Sequence, residues 1–169
     1  MQRHGGKIDI DSHVGVGTSF LVHLPATTTE EGIQEAPSER IDRTLRVLVV
    51  DDQEIINELL AEHLKSDGHV TACAQNGQEA LALFRADTFD LVITDQSMPG
   101  MNGVQLAAAI KEISPKTRVI LLTGFGEEML ASGCPAGVDL VVGKPVSHEN
   151  LRNAICQAMG ARELLESVI

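Results

Sequence analysis

The residues best able to do chemistry in this chain stand at the ends of apolar runs. Asp51 and Asp52 follow Arg46–Val50 (RVLVV), and Asp95 follows Leu91–Thr94 (LVIT). Thr123-Gly124 follows Arg118–Leu122 (RVILL), and Lys144 comes after Val138–Val142, between Gly143 and Pro145. Each has an ordinary reading alone: a turn-starting Asp, a solvated helix start, a surface Lys. Brought together they do not. Carboxylate pairs about 4 Å apart repel by roughly 1 kcal/mol in water and by several-fold more where screening is poor. A hard divalent cation with oxygen ligands, such as Mg²⁺, relieves that repulsion and keeps several waters. Lys144 adds a compact point charge. A carboxylate beside a cation and a lysine is suited to attack phosphorus and form an aspartyl phosphate. The transferring group's equatorial oxygens then need charge stabilisation. Lys144 and the cation supply it, Thr123 offers a hydroxyl, and Gly124 leaves room for the phosphoryl group.

This chemistry requires one edge to collect all these run ends. From Arg46 the pattern alternates regularly. Strands are predicted at Arg46–Val50, His69–Ala74, Phe89–Thr94, Arg118–Leu122 and Val138–Val142, from short apolar runs bounded by turn residues. Helices are predicted at Gln53–Lys65, Asn76–Arg85, Val104–Ile113 and from Ser147 to about Met159. Their expected inward faces are Ile55, Ile56, Leu59, Leu60 and Leu64 in the first, Ala80, Leu81 and Phe84 in the second, and Leu106, Ala107, Ile110 and Ile113 in the third. A helix at Glu127–Ala136 should complete the alternation, but Gly133 and Pro135 interrupt it, so a short helix followed by irregular chain is expected. The result is an α/β fold: a five-stranded parallel sheet, doubly wound and flavodoxin-like, with helices on both faces and right-handed crossovers. In such sheets ligands bind beyond the carboxyl ends of the strands.

Composition narrows the function. The chain has 169 residues, 43% of them hydrophobic, enough for one core plus extensions. A net charge of -11 leaves no basic stripe for phosphate backbones, so no nucleic acid partner and no contact with anionic membranes is expected. No apolar run is long enough to span a bilayer, and no signal peptide is present. Cys73, Cys134 and Cys156 show no CxxC spacing, which argues against a disulfide framework or zinc site and for buried or idle thiols in a reducing, cytoplasmic setting. With no Trp or Tyr, the chain has little with which to stack an aromatic cofactor. A flavodoxin-like FMN binder would also need a hydroxyl- and glycine-rich loop where Asp51 and Asp52 stand, so no cofactor-binding residues are assigned.

Before Arg46 the reading changes. Lys7–Ser12 and Thr18–Leu24 alternate around Gly15 and Gly17, a hairpin pattern. An isolated hairpin is marginal in water and needs a partner surface. The Gly15-Val16-Gly17-Thr18 stretch reads as a turn, since no P-loop lysine follows and no helix begins there. Residues 26–44 are polar and acidic without sustained period, a flexible linker, with a short helix near Ser38–Leu45 as the alternative. The run HGGKIDIDSHVGVGTSFLVHLP resembles the end of the ATP-binding domain of sensor histidine kinases. By that resemblance residues 1–25 are its C-terminal remnant, without the asparagine-bearing helix, the first glycine motif and the phosphate-receiving histidine, so kinase activity is not expected of them.

Over residues 45–160 the ordered motifs VLVVDD, LVITDQSMPGMNG, LLTG and VGKPV resemble the receiver domain of two-component response regulators. The resemblance implies that Asp95 accepts the phosphoryl group. It implies that Asp51 and Asp52 hold Mg²⁺, one of them largely through water, with Asp95 and the backbone carbonyl of Ser97 completing the shell. Thr123 becomes the switch hydroxyl, Gly124 its neighbour, and Lys144 the phosphate-pairing lysine, followed by a cis bond before Pro145. The donor is a phosphohistidine on a histidine kinase or a histidine phosphotransfer domain. Two positions depart from the family: Asn102 replaces a frequent Asp, and Val141 stands at the switch position that is commonly aromatic. Kinase tail, linker and receiver together resemble the carboxyl end of a hybrid histidine kinase, with residues 161–169 a short tail. Such a domain is not itself an enzyme beyond supporting its own phosphotransfer and autodephosphorylation. A pseudo-receiver, binding partners without taking phosphate, is the alternative.

Overall fold

The computed structural model describes residues 7–13, 15, 17–23, 43–124 and 134–160. Most of the predicted linker, the core of the predicted helix at Glu127–Ala136 and the tail at 161–169 lie outside the described residues. The chain divides into two compact units, residues 1–37 and 38–169.

In the first unit, β1 (Lys7–His13) and β2 (Gly17–His23) pair antiparallel, with Ile10 opposite Phe20. Gly15 takes φ 81° at the turn, a conformation that glycine adopts freely. Ile10, Phe20 and Leu21 are exposed.

The second unit runs β3 (Arg46–Val50), α1 (Glu54–Ser66), β4 (Val70–Ala74), α2 (Gly77–Ala86), β5 (Leu91–Asp95), α3 (Gly103–Ile113), β6 (Arg118–Thr123), β7 (Leu140–Gly143) and α4 (His148–Gly160). The five strands are parallel in the order β4-β3-β5-β6-β7. The fold class expected from the alternation is therefore the one observed. Strands covered on both faces read as continuous apolar runs, which explains RVLVV and RVILL. Leu48, Val50, Val92, Val119 and Leu121 pack under α2 and α3, whereas Val47, Val49, Ile93, Ile120 and Leu122 pack under α1 and α4.

Two inward faces were drawn too wide from sequence. In α1 the buried residues are Asn57, Leu60, Ala61 and Leu64, while Ile55 and Leu59 are 71% and 45% exposed. In α3, Ile113 is exposed. Residues at i, i+3, i+4 and i+7 make one stripe, and Ile55 and Leu59 lie about 160° from its centre, on the face turned away from the sheet. Cys73 and Cys134 are free thiols and are exposed rather than buried.

Polar clamps fix the frame. Asp139, at the entry to β7, accepts from Lys111 at the end of α3 (2.6 Å), from Arg118 (2.8 Å) and from the backbone N–H of Val119 (2.8 Å). Burial pushes its pKa up, but these donors outweigh it and hold the carboxyl below its usual range. Asp67 joins the end of α1 to the start of α4 through His148 (2.9 Å) and Arg152 (2.6 Å).

Candidate functional site

The winding of the sheet reverses between β3 and β5, the two strands that lead into Asp51 and Asp95. Crevices at such reversals are where doubly wound sheets place ligands. Asp51 is fully buried and Asp95 is 7% exposed. Lys144 arrives on the loop after β7, its backbone N–H donating to the carbonyl of Thr123 (2.8 Å). Its Nζ lies 2.7 Å from Asp51 Oδ2 and 2.6 Å from Asp95 Oδ1. One ammonium thus bridges the ends of β3 and β5. Burial works to lower the Lys144 pKa, but the hydrogen bonds and charges of Asp51 and Asp95 exceed it and raise the pKa above the ordinary value. The lysine is a fixed cation at neutral pH.

The remaining carboxylate oxygens are oriented by backbone. Gln53 N–H donates to Asp51 Oδ1 (3.0 Å), and Ser97 N–H donates to Asp95 Oδ2 (2.6 Å). Both are turns in which a side chain accepts from the amide two residues on. Asp52 and Ser97 are exposed at the rim, and Thr123 ends β6 with 1% exposure. A Cβ on Gly124 would meet nothing within 4 Å, so the space beside it is open. Val141 is buried in the core under α2 and α3. The bond between Lys144 and Pro145 is cis.

The loop after Asp95 is drawn back tightly. Gln96 N–H donates to the carbonyl of Leu122 and Gly103 N–H donates to the carbonyl of Gln96. Asn102 caps α3: its side chain accepts from Gln105 N–H (2.9 Å) while the Gln105 side chain accepts from Asn102 N–H (3.1 Å). This reciprocal cap accounts for Asn102 without a catalytic role. A Cβ on Gly103 would lie 2.2 Å from the carbonyl oxygen of Asp95 and 2.7 Å from Leu121. Only glycine lets the first turn of α3 press against the Asp95 backbone.

Sequence reasoning missed two supporting residues. Gly103 was given no role of its own within LVITDQSMPGMNG; its signal was its place in the loop after Asp95. Asn57 was passed over; its signal was a polar residue inside the apolar stripe of α1.

The donor set suits a hard cation in its chemistry. Asp51, Asp52 and Asp95 carry three formal negative charges against the one ammonium of Lys144, leaving an excess that a divalent ion would match. Mg²⁺ takes one or two protein carboxylates and keeps waters. Among the described residues no three of His, Cys, Asp and Glu converge to hold a metal by themselves. The fit therefore rests on a few protein oxygens plus solvent.

Comparison with known proteins places this edge in context. The response regulator receiver domain profile matches residues 47–156. The virulence sensor protein BvgS of Bordetella bronchiseptica is 36% identical over 170 residues, covering 91% of this chain and 14% of BvgS. The sensor histidine kinase AruS of Pseudomonas aeruginosa is 31% identical, covering 89% of this chain and 16% of AruS. The chain thus spans about a seventh of the length of these curated sensors. Both alignments cover more of the chain than residues 47–156 and the C-terminal flank together hold. They therefore reach into the part that resembles the end of a kinase ATP-binding domain. Sporulation initiation phosphotransferase F of Bacillus subtilis is 34% identical over 111 residues, covering 65% of this chain and 90% of that protein. Among solved structures, a response regulator receiver domain protein from Clostridium thermocellum superposes with a TM-score of 0.63 at 33% identity, covering 72% of this chain and 98% of that one. TrrA from Thermotoga maritima, solved in complex with Mg(2+)-BeF, superposes with a TM-score of 0.58 at 32% identity, covering 75% of this chain and all of that one. Among the described residues no helix is long and apolar enough to cross a membrane. Matched by the receiver profile over well more than half its length, this chain belongs to the response regulator receiver domain family of two-component systems.

Proposed function

We propose that the receiver takes a phosphoryl group from a phosphohistidine onto Asp95 with Mg²⁺, as one step of a phosphorelay. The observation that carries this reading is the single Lys144 ammonium shared by Asp51 and Asp95 at the switch point of the sheet. An Asp95 carboxylate oxygen bonds to phosphorus while the bond from phosphorus to the donor's imidazole nitrogen breaks. The electron pair leaves on the imidazole, which takes up a proton. Lys144 turns its charge from the free carboxylate to the new phosphoryl oxygens, and Thr123 donates its hydroxyl to one of them. Asp51, Asp52, Asp95 and the Ser97 carbonyl would hold Mg²⁺, which supplies charge neutralisation to the carboxylates and the phosphoryl group when bound.

Ile55 and Leu59 are exposed on the first turns of α1, which begins just after the acidic pair. Apolar side chains beside a charged edge fit docking of a protein donor, a histidine kinase or a phosphotransfer domain. The exposed thiols of Cys73 and Cys134 fit a reducing, cytoplasmic setting. Similarity to sensor proteins over 91% of the chain supports a place at the carboxyl end of a hybrid kinase, with residues 1–25 contributed by the ATP-binding domain.

The test is incubation with acetyl phosphate and Mg²⁺ followed by intact-mass measurement. One added phosphoryl mass, absent with EDTA and absent in Asp95→Asn, is expected. A pseudo-receiver, which binds partners without taking phosphate, is the second reading. No added mass in the parent, or equal labelling of Asp95→Asn, would establish it.

A further inference from the structure

Asn57 is the one residue in the buried stripe of α1 that is not apolar. Leu60, Ala61 and Leu64 complete that stripe, and Asn57 is 3% exposed. A leucine there would bury more cheaply, because an amide taken out of water loses its hydrogen bonds unless the protein replaces them. The replacements are specific. Asn57 Nδ2 donates to the carbonyl of Asp51 (2.8 Å) and to the carbonyl of Ala74 (3.0 Å). Both side-chain hydrogens are thereby used, and the amide orientation is fixed, since its oxygen would be repelled by two carbonyls. Asn57 Oδ1 is buried without a partner. The protein therefore retains a half-satisfied amide in its core for the sake of those two carbonyls.

The carbonyls belong to the ends of the adjacent strands β3 and β4, where Asp51 N–H also donates to Ala74 (3.3 Å). The Asp51 carbonyl lies in the same rigid peptide plane as the amide of Asp52. Holding it fixes the direction in which the chain leaves the sheet, and so the place of the Asp52 side chain. The same turn is held from within by Gln53 N–H on Asp51 Oδ1, and from α1 by Asn57 N–H on the Gln53 carbonyl (3.2 Å). Asn57 thus ties the acidic turn to α1 through both its main chain and its side chain.

We infer that Asn57 is a positioning residue: its side-chain amide clamps the Asp51–Asp52 peptide so that both acidic side chains face the Asp95 edge, and it thereby sets the affinity of that edge for Mg²⁺. The inference rests on the phospho-acceptor reading above. It touches neither phosphorus nor metal and acts through the acidic pair alone.

The experiment uses the full chain and the variants Asn57→Leu, Asn57→Ser and Leu64→Ala. Asn57→Leu keeps the volume and the apolar stripe but removes both donors; Asn57→Ser keeps a hydroxyl that serves at most one carbonyl. Leu64→Ala weakens the same helix stripe away from the acidic turn. Mg²⁺ affinity is read by calorimetry without any phosphodonor. The half-saturating Mg²⁺ and the maximal rate are then read in acetyl phosphate labelling. Residues that orient metal ligands typically change affinity by about ten-fold or more when removed. Asn57→Leu is expected to weaken Mg²⁺ binding by about ten-fold while the labelling rate at saturating Mg²⁺ stays within about two-fold of the parent. Leu64→Ala is expected to lower the thermal midpoint and leave Mg²⁺ affinity unchanged. Unchanged Mg²⁺ affinity in Asn57→Leu, or a loss matched by Leu64→Ala, overturns the inference. If Asn57→Leu does not fold, unchanged affinity in Asn57→Ser overturns it equally. A parent that binds no Mg²⁺ refutes the phospho-acceptor reading itself, a result separable from any difference among variants.

Discussion

Replacing Lys144 with methionine is the sharpest test of the site's electrostatics, because it keeps the aliphatic stem and deletes the charge. The ammonium is the only side-chain cation within salt-bridge distance of Asp51 or Asp95 among the described residues, at 2.7 and 2.6 Å. Both oxygens touch one nitrogen, so they can be no further apart than those two contacts combined. Two such charges interact by about 3–4 kcal/mol at an effective dielectric near 20. Removing the shared partner of buried charges typically costs about 3–5 kcal/mol. The Lys144 side chain is 27% exposed, so solvent screening offsets part of the loss and the low end of that range applies. The expected destabilisation of Lys144→Met is about 3 kcal/mol at neutral pH without metal. The pH dependence has a definite sign. Lys144 has a raised pKa in the fold, so its contribution is fully present below the unfolded value of about 10.4 and is lost as pH rises through the folded value. The gap between parent and variant should therefore be flat across neutral pH and close in strong alkali. The assay is urea unfolding followed by far-UV circular dichroism, since the chain has no Trp or Tyr to report by fluorescence. Adding Asp51→Asn to Lys144→Met should recover much of the loss by removing one of the two opposed charges. A gap under about 0.5 kcal/mol, of the size of an exposed pair, or further loss on adding Asp51→Asn, would refute the shared-cation account.

Other expectations are equally specific. Gly103→Ala should cost about 1–3 kcal/mol in urea unfolding, because its methyl would overlap the Asp95 carbonyl, and it should slow acetyl phosphate labelling; Gly124→Ala, whose methyl would meet no protein atom, should leave the unfolding midpoint unchanged. Asp139→Asn should destabilise by about 2 kcal/mol at pH 7, where two cations and an amide hold the carboxylate. Because the Asp139 pKa is depressed in the fold, its contribution is present above the unfolded value of about 3.9 and lost as pH falls through the folded value, so parent and variant should converge in acid unfolding curves. Saturating Mg²⁺ should raise the thermal midpoint of the parent, by about 2.7 kcal/mol in free energy at a hundred times its Kd, and leave that of Asp95→Asn less changed. Ile55→Glu with Leu59→Glu should slow phosphotransfer from a phosphohistidine protein by about ten-fold or more, with acetyl phosphate labelling unaltered; equal slowing of both reactions would count against protein docking at α1.

The apolar runs RVLVV, LVIT and RVILL were enough to announce buried parallel strands, because a strand covered on both faces has no polar side to show. Their carboxyl-end residues followed at once, since a parallel sheet puts all such ends on one edge. Asp51, Asp95, Thr123 and Lys144 were legible for that reason. Local pattern could not say that the strand order reverses between β3 and β5, that one ammonium would reach both carboxylates, or that Asp52 would stay at the rim. Nor could periodicity say how wide a helix face the sheet would cover, so Ile55, Leu59 and Ile113 were placed inside while the structure exposes them. Asn57 and Gly103 earn their places through contacts with residues distant in sequence or in the next element: two strand-end carbonyls for one, the Asp95 backbone for the other. Side-chain type and period are properties of a segment and can be read along it. Hydrogen-bond partners and close approaches belong to pairs of segments, and exist only once the sheet has brought them together.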